Sequence, residues 1–349
     1  MGVPARGRRL TVLIVSALRN EAPYVLDWLA HHIAIGADRF LLYTNDCDDG
    51  TDDMLDLLAK AGVVEHRRHA PAAGESVQWH AFRDAWKSDA RKAADWALVC
   101  DVDEYVNIHI GGRGFADLIG AVEADAMALP WRLFGSGGRA SAEDRPVTER
   151  FIHAASDKAA YPLATRFFKT LFRTNGPFNQ FGVHRPSQKK GAAPVWVDGA
   201  GAALPHGFAS GAPIALPPGP GRSVVELNHY SLRSVEEFIV KAHRGLPNHR
   251  DRAVDLAYWV ERNFNTVENR SIAAVASEAA RVKERLLAIP GVAAQHARGI
   301  AWRTEAFAQL MRDETFYALY TRVRLAGDTE ELSSEEAARL YARYQRLAR

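Results

Sequence analysis

Over the first hundred residues, short runs of aliphatic and β-branched residues alternate with stretches whose apolar positions recur every three or four residues. Residues 10–18 (LTVLIVSAL), 38–46 (DRFLLYTND), 63–69 (VVEHRRH) and 96–106 (WALVCDVDEYV) have the pattern of strands. Between the first two, Tyr24, Leu26, Trp28, Leu29, Ile33 and Ile35 form a helical stripe that stops at Gly36, a natural residue just past a helix end. Residues 49–62 predict a second helix, with Thr51 and two acids at its start, where the helix dipole favours negative charge. A third helix is expected over 76–95. Strands apolar enough to be covered on both faces, joined by helices, predict an α/β fold with a mostly parallel sheet between helical layers.

Further along the texture changes. Residues 127–138 (MALPWRLFGSGG), 165–174 (TRFFKTLFRT), 193–199 (APVWVDG) and 223–232 (SVVELNHYSL) predict shorter strands among Gly- and Pro-rich loops. The loosest stretch, 203–222, is expected to be a mobile surface loop. Ser234 followed by Glu237 marks the capped start of another helix. From about residue 290 the chain is rich in Ala, Arg and Glu and predicts a helical extension. Its amphipathic stretches suit packing on the core or on a partner equally well.

Charge and cysteine content narrow the classes. Across 349 residues the net charge is only +2, so no concentrated basic surface for nucleic acid is expected. Two cysteines, Cys47 and Cys100, make no disulfide framework and suit a reducing compartment. The N-terminus has the basic start and apolar run of a signal peptide. The run is short, though, and enters RNEAPY without a small-residue cleavage site, so a buried first strand is expected. No stretch approaches the ~20 apolar residues needed to span a bilayer. The expected location is cytoplasmic, with peripheral contact to the inner face of a membrane through the basic tip.

Candidate chemistry gathers where the strands end. SALRNE, TNDCDDGT and DVDE all fall at carboxyl ends of predicted strands, the place where α/β sheets bind ligands. Asp101 and Asp103 are two apart, which on a continuing strand puts both carboxylates on one face. Such carboxylates repel unless a cation or proton lies between them, and Mg²⁺ or Mn²⁺ takes carboxylate and phosphate oxygens. A D-x-D pair is usually a solvated turn; its place in this sheet points instead to a metal bridging protein and diphosphate.

Residues 18–51 (LRNEAPYVLDWLAHHIAIGADRFLLYTNDCDDGT) resemble the opening of the GT-A nucleotide-sugar glycosyltransferases, the family 2-like group related to family 92. DVDEYV resembles that group's metal-binding D-x-D motif, and PWRLFGSGG, TERF, KTLFR, GVHRP and ELNHYSLRSVEEFIVKAHRG follow in order. The resemblance covers roughly residues 10–245. It implies a Rossmann-like GT-A domain over 8–245, with a nucleotide-binding half (8–125) and an acceptor half (126–245), followed by a helical region (246–349). It also implies transfer of a sugar from a nucleoside diphosphate, UDP first, to a glycan or glycan-precursor hydroxyl, with inversion, as in polysaccharide biosynthesis.

The resemblance carries residue roles with it. Asp101, Asp103 and His229 would hold Mn²⁺ or Mg²⁺, with His184 the competing third ligand. Ser16, Ala17, Asn20, Glu21 and Asp46 would line the nucleoside pocket, with Val102 beside it; Asp48 and Asp49 divide between that role and turn chemistry. Lys169 or Arg173 would meet the diphosphate. Trp131 and Phe134 would stack on a sugar, with Gly135 and Gly137 allowing close approach. Glu149, Asp144 and Glu104 are the candidates for the general base. Three other classes fit less well. A sugar-phosphate nucleotidyltransferase wants a Gly-rich loop after the first strand, where this chain has SALRNE. A catalytically silent nucleotide- or glycan-binding domain has no need of Asp101, Asp103 and His229 together. A two-carboxylate hydrolase needs separated acids.

Overall fold

Among the described residues, eight strands and one short neighbour make a single twisted sheet. In chain order they are β1 (Val12–Leu18), β2 (Arg39–Thr44), β3 (Glu65–Arg68), β4 (Trp96–Val99), β5 (Glu104–Ile108), β6 (Ala126–Leu133), β7 (Phe168–Arg173) and β8 (Val225–His229). Their spatial order is β3-β2-β1-β4-β7-β6-β8-β5, with Trp196–Val197 paired beside β6. Only β7 and β5 run against the others. The computed structural model describes residues 10–70, 75–219, 221–245 and 254–347. Its α/β, mostly parallel architecture is the one expected.

The first helices fall where the apolar stripes put them: α1 (Val25–Ala34), α2 (Thr51–Lys60) and α3 (Val77–Lys87). Gly36 has φ +90° just beyond α1, a conformation that costs glycine little. The expected helix over 76–95 breaks at Ser88, whose hydroxyl caps a new short turn by accepting from Arg91 N. Asp49, rather than Thr51, organises the start of α2: its carboxylate accepts from the Thr51 amide and hydroxyl and, across the loop, from Ala22 N.

Two expectations change. The strand predicted over 96–106 stops at Val99, because the Glu104 carboxylate accepts from Asp101 N (2.9 Å) and the Asp101 carbonyl accepts from Glu104 N (3.0 Å). The chain turns there, and β5 leaves to pair with β8 at the far edge. Asp101 and Asp103 therefore lie in a turn between strands, not on alternate positions of one strand. The 203–222 stretch, expected to be a mobile surface loop, lies at the surface over most of its described residues but is anchored there by buried Phe208, Ala209 and Leu216. It contains a helical turn (His206–Gly211), and Phe208 lies among Phe168 and Trp196, both at 5.6 Å between ring centroids.

The C-terminal residues share the core of the sheet. Phe264, Ile272, Val282, Leu286 and Val292 are buried in the same apolar cluster as β1 and α1. Helix α4 (Val235–Arg244) follows β8, and then come α5 (Ala276–Leu287), α6 (Val292–Leu310), α7 (Glu314–Leu325) and α8 (Ser334–Leu347). Helix α5 packs along α1, where Lys283 pairs with Asp27 at 2.9 Å. No described helix is long and apolar enough to cross a membrane.

Helix α4 is fixed at its start by a buried charge. Ser234 and Glu237 form the expected capping box, and the Glu237 carboxylate also receives both terminal nitrogens of Arg150, at 2.8 and 2.9 Å. Burial works to raise the Glu237 pKa, but the Arg150 guanidinium outweighs it and lowers the carboxyl to about 2. The folded value is depressed, so its stabilisation is full above the unfolded value of 4.5 and is lost as pH falls toward 2. Replacing Glu237 by Gln should cost about 3–5 kcal/mol at pH 7, since Arg150 loses its partner. Urea unfolding should show the gap to wild type narrowing below pH 4.5; a gap indifferent to pH would contradict this assignment.

Candidate functional site

A cavity of about 890 Å³ opens at the carboxyl ends of the parallel strands. The end of β1 supplies Ala17, the loops after β1 and β2 supply Arg19, Glu21 and Asp46, and the turn after β4 supplies Asp101, Val102 and Asp103. Trp131 of β6, Lys169 of β7, His229 of β8 and Lys241 of α4 complete that side. The opposite wall comes from beyond residue 250 and includes Tyr258, Arg262, Phe316, Leu319 and Arg322.

The acidic turn is held by two lysines. Lys169 Nζ lies 2.8 Å from Asp101 and 3.5 Å from Glu104, and its side chain is 1% exposed. Burial disfavours its charge, but the Asp101 and Glu104 carboxylates outweigh burial and raise its pKa. Lys241 Nζ donates to Asp103 Oδ2 at 2.7 Å and to the Ser231 carbonyl at 2.8 Å. His229 Nε2 is 3.5 Å from the other Asp103 oxygen. Burial works to raise the Asp103 pKa, yet Lys241 and His229 hold it well below the usual carboxylate range. Burial lowers His229 itself, which favours the neutral imidazole that a metal needs. Burial pushes the Glu104 carboxyl up to about 8.

Among the described residues, no three Asp, Glu, His or Cys side chains form a metal-holding group. The donors that do converge, Asp103 and His229, suit a two-point hold on Mn²⁺ or Mg²⁺ whose other ligands are water and phosphate oxygens. Asp101 sits on the same turn with its side chain 35% exposed, one oxygen engaged by Lys169. His184, the competing ligand, commits Nδ1 to the Phe168 carbonyl at 2.9 Å.

The other expected site residues divide. Ala17, Glu21, Asp46, Val102, Trp131 and Lys169 line the cavity. Ser16 is buried and does not line the cavity, and Asn20, at φ +53°, uses its side chain to accept from Asp48 N. Glu21 is tied to Arg244 and Arg233. The candidates for the base lie elsewhere or are occupied. Exposed Glu149 pairs with Arg145, Asp144 accepts from His296, and Glu104 is fully buried within the turn; none lines the cavity. Arg173 reaches the Ala124 carbonyl instead of the cavity. Phe134 packs on Tyr230 at 4.6 Å, inside the core. Pattern reading missed Lys241, Arg244, Tyr258 and the α7 residues. Lys241 was legible as the cation in EEFIVKAHRG, two turns into a capped helix, whereas the α7 residues carried no local signal.

Residues 14–148 match the model of glycosyltransferase family 92, and over that segment the chain is related to the family. A family 92 protein of Oryza sativa subsp. japonica is 24% identical over 151 residues, 41% of this chain and 24% of the relative. Another, from Ricinus communis, is 30% identical over 101 residues, 28% of this chain and 17% of the relative. The matched segments thus span a quarter or less of those relatives. A crystal structure of S. aureus TarS 1-349 in complex with UDP superposes at a TM-score of 0.30 with 13% identity, covering 47% of each chain.

The Gly-rich loop after β6 plays a different part from the one expected. A Cβ on Gly135 would lie 2.4 Å from both the Phe264 carbonyl and Asn265 Oδ1, so this glycine admits the C-terminal backbone, not a sugar. Gly135→Ala should destabilise the fold by about 1–3 kcal/mol by separating those segments. Denaturant unfolding that leaves its midpoint unchanged would contradict this packing role.

Proposed function

We propose that this chain is a glycosyltransferase that moves a sugar from a nucleoside diphosphate, UDP first, to a hydroxyl of a glycan or glycan precursor. The observation that carries the proposal is the acidic turn. Asp101 and Asp103 reach one cavity from the carboxyl end of β4, each already balanced by a lysine, within a segment related to family 92. Polar loops from β1 and β2 border the same space and suit a nucleoside.

Asp103 and His229, with Asp101 beside them, are the groups that would hold Mn²⁺ or Mg²⁺. Bound there, the ion would supply Lewis-acid neutralisation of charge on the departing diphosphate. Lys169 holds one Asp101 oxygen at 2.8 Å, and Glu104 fixes the turn through Asp101 N. Trp131, buried against His229 at 4.1 Å between rings, shapes the floor beside the reacting sugar. The residues beyond 250 give the opposite wall, and we assign the acceptor to that side, with inversion at the anomeric carbon. Cytoplasmic action belongs to the same proposal and is supported by two free cysteines; the basic tip expected to touch a membrane lies outside the described residues.

Titrating UDP into the purified chain by calorimetry, with and without Mn²⁺, tests the donor site. Metal-dependent binding is expected, weakened at least about tenfold, roughly 1.4 kcal/mol, in the Asp101→Ala, Asp103→Ala double variant. Absence of binding by any nucleoside diphosphate under every metal condition would overturn the proposal.

A further inference from the structure

The two lysines at the acidic turn are not equivalent. Lys169 is almost completely buried and serves two carboxylates, Asp101 at 2.8 Å and Glu104 at 3.5 Å. Moving it would strip both of their counter-charge inside the protein. Lys241 serves one carboxylate, borders the cavity, and keeps a second anchor on the Ser231 carbonyl at 2.8 Å. Its backbone is fixed by the capping box and the Arg150–Glu237 pair at the start of α4, and a lysine's four-carbon stem can swing its ammonium about such a fixed backbone.

The ammonium also lies where a metal would compete with it. Asp103 offers Oδ2 to Lys241 at 2.7 Å, while Oδ1 faces His229 Nε2 at 3.5 Å. A divalent ion taking Asp103 and His229 would share one carboxylate with a lysine, and like charges so close repel. An incoming diphosphate changes that balance, because it brings negative oxygens that can receive both cations.

We propose that Lys241 is the resident counter-ion of Asp103, and that it yields this carboxylate to a divalent cation when a nucleoside diphosphate arrives to take the ammonium. The inference rests on the transferase reading for the identity of that anion. Metal and nucleotide then bind together, each weakly without the other. Lys241 becomes a donor-binding residue that meets the diphosphate, and it lies outside the segment matched to family 92.

The test uses the full chain and Mn²⁺ alone, with free Mn²⁺ followed by electron paramagnetic resonance. Lys241→Met should bind Mn²⁺ at least about tenfold more tightly than wild type, because the competing charge is gone. Lys241→Arg should stay near wild type, and adding Asp103→Asn to Lys241→Met should abolish the gain. Metal-free UDP binding should weaken in Lys241→Met. Lys241→Gln, which keeps a donor for the Ser231 carbonyl, repeats the measurement should the Met variant not fold. Unchanged or weaker Mn²⁺ affinity in the folded Met or Gln variant, with metal-dependent UDP binding intact in wild type, overturns this inference and leaves the transferase reading standing. Conversely, a gain in Mn²⁺ affinity with no nucleoside diphosphate binding to any variant upholds Lys241 as the counter-ion and overturns the transferase reading.

Discussion

Three carboxylates, Asp101, Asp103 and Glu104, fall within four residues of one turn, and two ammonium groups reaching them from different elements make that turn tenable. Lys169 comes from β7, which runs antiparallel to β4, and Lys241 comes from α4. Burial pushes the Glu104 carboxyl up to about 8, against the pull of the Lys169 ammonium. The strand order, the start of α4 and the shape of the cavity all serve this balance. Bringing in a diphosphate upsets it in a way that a divalent cation can restore.

Much of the fold was legible because its signals are local. The stripe from Tyr24 to Ile35, the glycine at 36 and the Ser234–Glu237 capping box each lie within a few residues of what they specify. The acidic turn was visible as chemistry but not as geometry. Its bend depends on a buried Glu104 returning to the Asp101 amide, and apolar alternation through VCDVDEYV hides that bend. The base candidates Glu149 and Asp144 illustrate the other limit: nothing local in the sequence tells that they pair with Arg145 and His296 and stay out of the cavity.

The C-terminal residues show most plainly why part of the site was illegible. Tyr258, Arg262, Phe316 and Leu319 reach the cavity through tertiary packing, with α7 laid against α4. Gly135 looked like room for a ligand and is filled by the Phe264 carbonyl. Residues 203–222 looked loose by composition, yet Phe208 anchors them between Trp196 and Phe168. In each case the deciding partner is a hundred residues away or a single aromatic among prolines and glycines, beyond the reach of local patterning.

The most direct test of a cation-and-diphosphate site at the acidic turn is anomalous diffraction from crystals of the full chain grown with UDP and Mn²⁺. One manganese peak is expected within bonding distance of Asp103 and His229, next to the diphosphate oxygens. Nucleotide bound with its diphosphate away from this turn, or manganese bound elsewhere, would contradict it.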